Sequence, residues 1–186
     1  MDSLLFIRHA ETDLAGRFCG HSDPPVNKRG HRQIRDLLRK LEGKSIDAIY
    51  TSDLSRAQTT ADAIAEVHGN SPVVISGLRE ISFGEWEGLS WDEIEFRDAD
   101  YARRWSKAFP ELPAPGGELF AMFQSRVMAE VKKLLSMPKQ GCAAVVTHRG
   151  VMCVVLCSLC GLDEEQAWAQ TKAYCSFFRY PQGGSL

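Results

Sequence analysis

The chain has 186 residues, 44% of them hydrophobic and 25% charged, with a formal net charge of -2. That length fits one domain, 1–186, with a sizeable core, and that charge gives no reason to expect a nucleic acid or an anionic membrane as partner. No apolar run is long enough to cross a bilayer and no basic-then-apolar leader opens the chain, so the expected location is the cytoplasm.

The first element is the clearest. Leu4-Leu5-Phe6-Ile7 is an unbroken apolar run, as expected of a strand buried on both faces in a parallel sheet, and Arg8, His9, Ala10, Glu11 and Thr12 follow at once. Residues 13–27 are rich in Gly, Asp and Pro and read as a loop carrying Arg17 and His21. From Gly30 to Glu42, Ile34, Leu37, Leu38 and Leu41 make one helical stripe that Gly43 is placed to end. A second strand is expected over Asp47–Thr51, with Ser52 as N-cap of a helix starting at Asp53.

Pro72–Ile75 reads as a third buried strand leading to Leu78-Arg79-Glu80. Ser90 and Glu93 have capping-box spacing for a short helix, and the three prolines between Trp105 and Gly117 predict a loop or lid. Phe120, Phe123, Val127, Val131 and Leu134 mark a long helix over 118–135, closed by Pro138. Cys142–Thr147 is a fourth apolar strand ending at His148-Arg149-Gly150, followed by a helix over 151–159. Asp163 and Gln166 cap a last short helix, and Tyr174–Tyr180 predicts a closing strand. Cys153, Cys157 and Cys160 share a helical face with Val154 and Leu156, which favours core packing over a metal or redox pair and suits a reducing compartment. The alternation predicts a three-layer α/β fold: a mainly parallel sheet with helices on both faces.

In such sheets ligands bind beyond the carboxyl ends of the strands. Those ends deliver Arg8 and His9, then Arg56 through Ser52, then Glu80, then His148 and Arg149. Singly, each has a plain structural role as a surface or strand-end polar group. Together they form an inventory: guanidinium forks that match phosphate oxygens, a neutral imidazole nucleophile, and a carboxylic acid to protonate a leaving alkoxide. No dense carboxylate cluster suggests a magnesium site and no P-loop appears, so the expected chemistry uses no metal and no cofactor.

These residues resemble the histidine phosphatase superfamily, the branch with cofactor-dependent phosphoglycerate mutases, and are closest in appearance to α-ribazole phosphatase-type members. Arg8-His9-Ala10-Glu11-Thr12 resembles R-H-G-[EQ]-T, and 20–27 resembles G-x-x-D-x-P-L. Residues 51–59 resemble S-x-L-x-R-A-x-x-T, and 78–88 resemble L-x-E…G-x-x-E-G. Pro115-Gly116-Gly117-Glu118 resembles P-G-G-E, and Thr147-His148-Arg149-Gly150 resembles [ST]-H-G-G. The resemblance implies a phosphoglycerate mutase-like fold without a large cap insertion and a phosphomonoesterase working through phosphohistidine. His9 would be the nucleophile, Glu80 the acid/base, and Arg8, Arg56 and His148 the phosphoryl-binding groups. The implied substrate is a small phosphate ester, α-ribazole 5′-phosphate or similar, which places the chain in cobalamin biosynthesis; a homodimer is the assembly considered.

Three departures stand out. Ala10 replaces the family glycine, Ala15 stands where the family has asparagine, and Arg149 stands where glycine is frequent. Arg17, His21 and Arg149 are therefore expected to supplement substrate binding. The alternatives are a phosphoglycerate mutase, disfavoured by the short span from Glu80 to His148, and a non-catalytic phosphate-binding module, disfavoured because His9, Glu80 and His148 are all kept. The aromatics around Trp86 and Trp91 are read as a surface for a flat leaving group, with core packing as the alternative for Trp91.

Overall fold

The computed structural model describes residues 3–137 and 141–181. At its centre a five-stranded sheet runs in the order β3-β2-β4-β1-β5. The strands are β1 (Ser3–Arg8), β2 (Ala48–Thr51), β3 (Val73–Val74), β4 (Cys142–Thr147) and β5 (Phe177–Tyr180). The first four pair in parallel, and β5 lies antiparallel on β1. Every residue of β1 and β4 is buried. That accounts for their continuous apolar runs, since a sheet covered on one face would alternate.

Helices cover both faces. On one, Leu5, Ile7 and Ile49 pack with Leu37 and Leu41 of α1 (Lys28–Leu41) and Ala57 and Ile64 of α2 (Ser55–His68). On the other, Leu4, Phe6 and Val145 pack with Phe123, Val127 and Val131 of α5 (Phe120–Ser136) and Val151 and Val155 of α6 (Arg149–Cys160). Each such large apolar side chain contributes about 1.5 to 3 kcal/mol by leaving water, against the entropy of ordering the chain. The expected three-layer α/β architecture is present.

A smaller aromatic core sits beside the sheet. It joins α3 (Trp91–Arg97) and α4 (Ala99–Ala108) to the 80–90 loop through Trp86, Ile94, Ala102 and Ala114, with Phe18, Trp91 and Trp105 packed on it. The last helix is α7 (Glu164–Gln170). Both expected capping boxes, Ser90 with Glu93 and Asp163 with Gln166, are formed.

Four expectations need adjustment. The strand expected over 72–75 shortens to Val73–Val74, which lie 54% and 52% exposed at the sheet edge, where, among the described residues, only β2 pairs with them. The Trp105–Gly117 stretch begins inside α4, a helix of charged residues whose single buried member, Ala102, leaves little apolar stripe to read. The helix expected from Asp53 begins at Ser55, and its N-cap position is Leu54, not Ser52. The expected strand over 174–180 starts at Phe177. Pro138 lies outside the described residues.

Candidate active site

The sheet order brings β2, β4 and β1 side by side, with Arg8 opposite Thr147 and Thr51 opposite Val146 in register. The residues that follow these strands are therefore neighbours: His9, His148 and Ser52. The backbone ladder extends past the strands to hold them, His9 N donating to Thr147 O at 2.9 Å and Ser52 N to Val146 O at 3.0 Å. The two imidazoles stand 5.0 Å apart between ring centroids.

His9 is oriented by its own chain. Its Nδ1 lies 2.7 Å from the carbonyl of Ala10, so Nδ1 carries the proton and Nε2 keeps a lone pair. Ala10 is anchored in turn, its N–H donating to Thr60 Oγ1 at 3.0 Å and its methyl fully buried. Alanine thus fits where the resembling motif has glycine. Burial, reinforced by the Arg56 and Arg8 charges, holds the His9 pKa well below the usual 6.5. The ring is therefore neutral at physiological pH, with the Nε2 lone pair available.

Arg56 is fully buried. Its Nε points at His9 Nε2, 3.3 Å away, while Nη1 donates to Ser22 O at 2.6 Å and Nη2 to Gly20 O at 2.7 Å. Loop carbonyls therefore hold the fork in place before any ligand arrives. Those loop amides are fixed from the other side by Glu87, which accepts from Gly20, His21, Ser22 and Phe83. Burial alone would raise the Glu87 carboxyl, and these backbone donors outweigh it and lower it. Gly20 is required there, because a Cβ would lie 2.0 Å from Ile81 O. Arg8 comes from the opposite side, stacked 3.9 Å over Tyr174, with Nη1 donating to Thr171 O and Lys172 O. Its Nε is buried without a hydrogen-bond partner among the described residues.

Glu80 completes the set. Its carboxyl is buried and accepts from Ile81 N at 3.0 Å and Gly150 N at 2.9 Å. Burial raises its pKa, against the opposing pull of Gly150, Ile81, Arg56 and Arg8. The net shift moves the carboxyl toward its protonated form relative to a solvated glutamate, the direction a general acid requires.

The carrier of the Glu80 segment is Arg126, which sequence reasoning passed over. It donates to Gly77 O at 3.1 Å, Arg79 O at 2.8 Å and Glu80 O at 2.8 Å, and forks onto Glu118 at 2.7 and 2.8 Å. The one signal available was the Glu118 of the P-G-G-E stretch, a carboxylate needing a cation.

The supplementary cations divide. His21 stays near the site, its Nε2 3.1 Å from the Glu80 carbonyl. Arg17 is instead engaged with Gly88 O at 2.8 Å and with Glu93 at 2.6 Å, closing the first loop onto the start of α3. Arg149 stacks 3.4 Å over the ring of Trp168 and donates to Trp168 O at 2.7 Å. Trp86 and Trp91, expected at a leaving-group surface, pack on Phe18, Tyr101 and Trp105 in their own core. Tyr174, 5.7 Å from His9 between centroids, is the aromatic ring beside it. Among the described residues no three His, Cys, Asp or Glu side chains group as metal ligands. The α6 cysteines are half-buried in core packing, and burial pushes the Cys153 thiol up to about 11.

The sequence profile of the histidine phosphatase superfamily, branch 1, matches residues 4–184. The chain belongs to that superfamily. This histidine phosphatase is 30% identical to phosphoserine phosphatase 1 of Hydrogenobacter thermophilus, over 91% of this chain and 81% of that protein. It is also 30% identical to the adenosylcobalamin/α-ribazole phosphatase of Escherichia coli, over 89% and 82%. The crystal structure of α-ribazole phosphatase from Shigella flexneri superposes with a TM-score of 0.86 at 27% identity, covering 95% of this chain and 89% of that one. Together these make the histidine phosphatase a hydrolase of phosphate esters. Among the described residues no helix is long and apolar enough to cross a membrane.

Proposed function

We propose that this histidine phosphatase hydrolyses a small phosphomonoester through a phosphohistidine on His9, with no metal taking part. The observation that carries the reading is the His9 ring itself: Nδ1 is tied to Ala10 O, and Nε2 faces the Arg56 fork at 3.3 Å. His9 Nε2 attacks phosphorus as the ester P–O bond breaks. Arg8, Arg56 and His148 hold the equatorial oxygens, where charge accumulates. Glu80 gives its proton to the departing alkoxide. In the second step the Glu80 carboxylate takes a proton from water, the water oxygen bonds to phosphorus, and the N–P bond breaks to return His9 and inorganic phosphate.

Residues 1–186 act in this reading as one catalytic unit without a large cap, in the cytoplasm. The lead substrate is α-ribazole 5′-phosphate or an ester like it, supported by the E. coli and S. flexneri relatives. O-phosphoserine is the second reading, supported by the equally identical Hydrogenobacter relative. Turnover across α-ribazole 5′-phosphate, O-phosphoserine and 3-phosphoglycerate tests the reading. Phosphate release from an ester, lost in His9→Ala, is expected; release that survives His9→Ala would refute it.

A further inference from the structure

Ser52 does not cap α2; its hydroxyl lies 2.9 Å from His148 Nε2, and both residues are fully buried. The same oxygen accepts from Leu54 N at 3.4 Å. A serine hydroxyl has one proton and two lone pairs, and a neutral imidazole has one N–H and one lone pair. Burial and the surrounding Arg56, His9, Arg8 and Arg126 hold the His148 pKa well below 6.5, so the ring is neutral and its single proton must be on one nitrogen.

The two placements are not equivalent. With the proton on Nε2, that N–H takes the second Ser52 lone pair. The hydroxyl proton is then left without an acceptor, and the Nδ1 lone pair without a donor, in a buried site. With the proton on Nδ1, the hydroxyl donates to Nε2 while accepting from Leu54, and the Ser52 proton has its acceptor. Nδ1 has no hydrogen-bond partner among the described residues, although it is buried beside His9. A phosphoryl group offers acceptors only, so an N–H there is attracted and a lone pair repelled.

We infer that Ser52 is a positioning residue, whose hydroxyl fixes His148 as the Nδ1–H tautomer that donates to a phosphoryl oxygen. This rests on the reading that His148 contacts the phosphoryl group. It also gives the serine of the T-S-x-L stretch a task that helix capping does not.

The test is nitrogen NMR of the ligand-free chain labelled with 15N-histidine at neutral pH, with His148 assigned by loss of its signals in His148→Asn. A protonated-type shift at Nδ1 and an unprotonated-type shift at Nε2 are expected. The opposite pattern in the wild-type protein would overturn the inference, whether or not any variant folds. In Ser52→Ala the pattern should become mixed or reversed and kcat should fall roughly 10- to 100-fold, with KM changed far less. Ser52→Thr, which keeps the hydroxyl, should restore both. A folded Ser52→Ala protein with unchanged tautomer and kcat would also overturn it. The spectrum requires no turnover, so it stands apart from the phosphatase reading: failure of that reading would show as absent phosphate release.

Discussion

The Gly150 amide donates to Glu80 Oε2 at 2.9 Å, and a Cβ on Gly150 would lie 2.2 Å from Glu80 Oε1. The glycine after His148-Arg149 thus leaves room for the acid and holds it. Gly150→Ala should displace the Glu80 carboxyl and lower kcat on alkyl phosphates by roughly 10²-fold, the lower range for loss of a general acid. Nitrophenyl phosphate, whose leaving group needs little protonation, should lose far less. Equal losses on both would mean that the glycine serves the fold and not the acid.

The pH dependence follows from two shifts of opposite sign. In the proposed mechanism Glu80 acts as acid while protonated, and burial raises its pKa, so activity on alkyl esters should persist above the ordinary carboxyl range and fall as pH rises through that raised value. His9 must be neutral, and burial lowers its pKa, so the acid limb should lie below the usual histidine range. Profiles of kcat/KM for an alkyl and a nitrophenyl ester check this. The alkaline limb should be steep for the first and weak for the second, and absent for both in Glu80→Gln.

In the proposed mechanism Arg56 meets every substrate through the phosphoryl group, so Arg56→Ala should weaken all of them alike, by about 2 to 4 kcal/mol of transition-state stabilisation. It should also loosen the loop whose carbonyls at Gly20 and Ser22 it holds. Matched kcat/KM losses across the ester panel, with a lowered Tm, are the expected outcome.

Arg126→Ala removes the fork that joins Glu118 to the Glu80 segment, and should cost roughly 2 to 3 kcal/mol of stability. Burial alone would raise the Glu118 carboxyl, and Arg126 outweighs it to hold the carboxyl below its ordinary value. The sign follows: a depressed carboxyl stabilises the fold above its unfolded pKa, and that contribution disappears as pH falls through the folded one. The Tm difference between wild type and Arg126→Ala should therefore be full near neutrality and shrink on acidification.

Much of this was legible in the sequence because it is local. Continuous apolar runs at β1 and β4 identify strands buried on both faces, and their exits at His9 and His148 follow. The Ser90–Glu93 and Asp163–Gln166 capping boxes involve residues three apart. What stayed hidden depends on distant chain. Arg126 reaches carbonyls nearly fifty positions away, and Ser52 meets His148 across the sheet. Arg17 has a partner at Glu93 that no spacing rule anticipates. Val73 and Val74 look like core and lie on an edge, since composition does not reveal which strand comes last in the sheet.

The most direct measurement is to trap the intermediate on His9. Brief reaction with a labelled ester, rapid quench in alkali and peptide mass spectrometry should place phosphate on His9, in a bond that is stable to base and lost in acid. The chain should be labelled equally in EDTA and not at all as His9→Ala. Label on any other residue, or an acid-stable phosphoryl bond, would contradict the account.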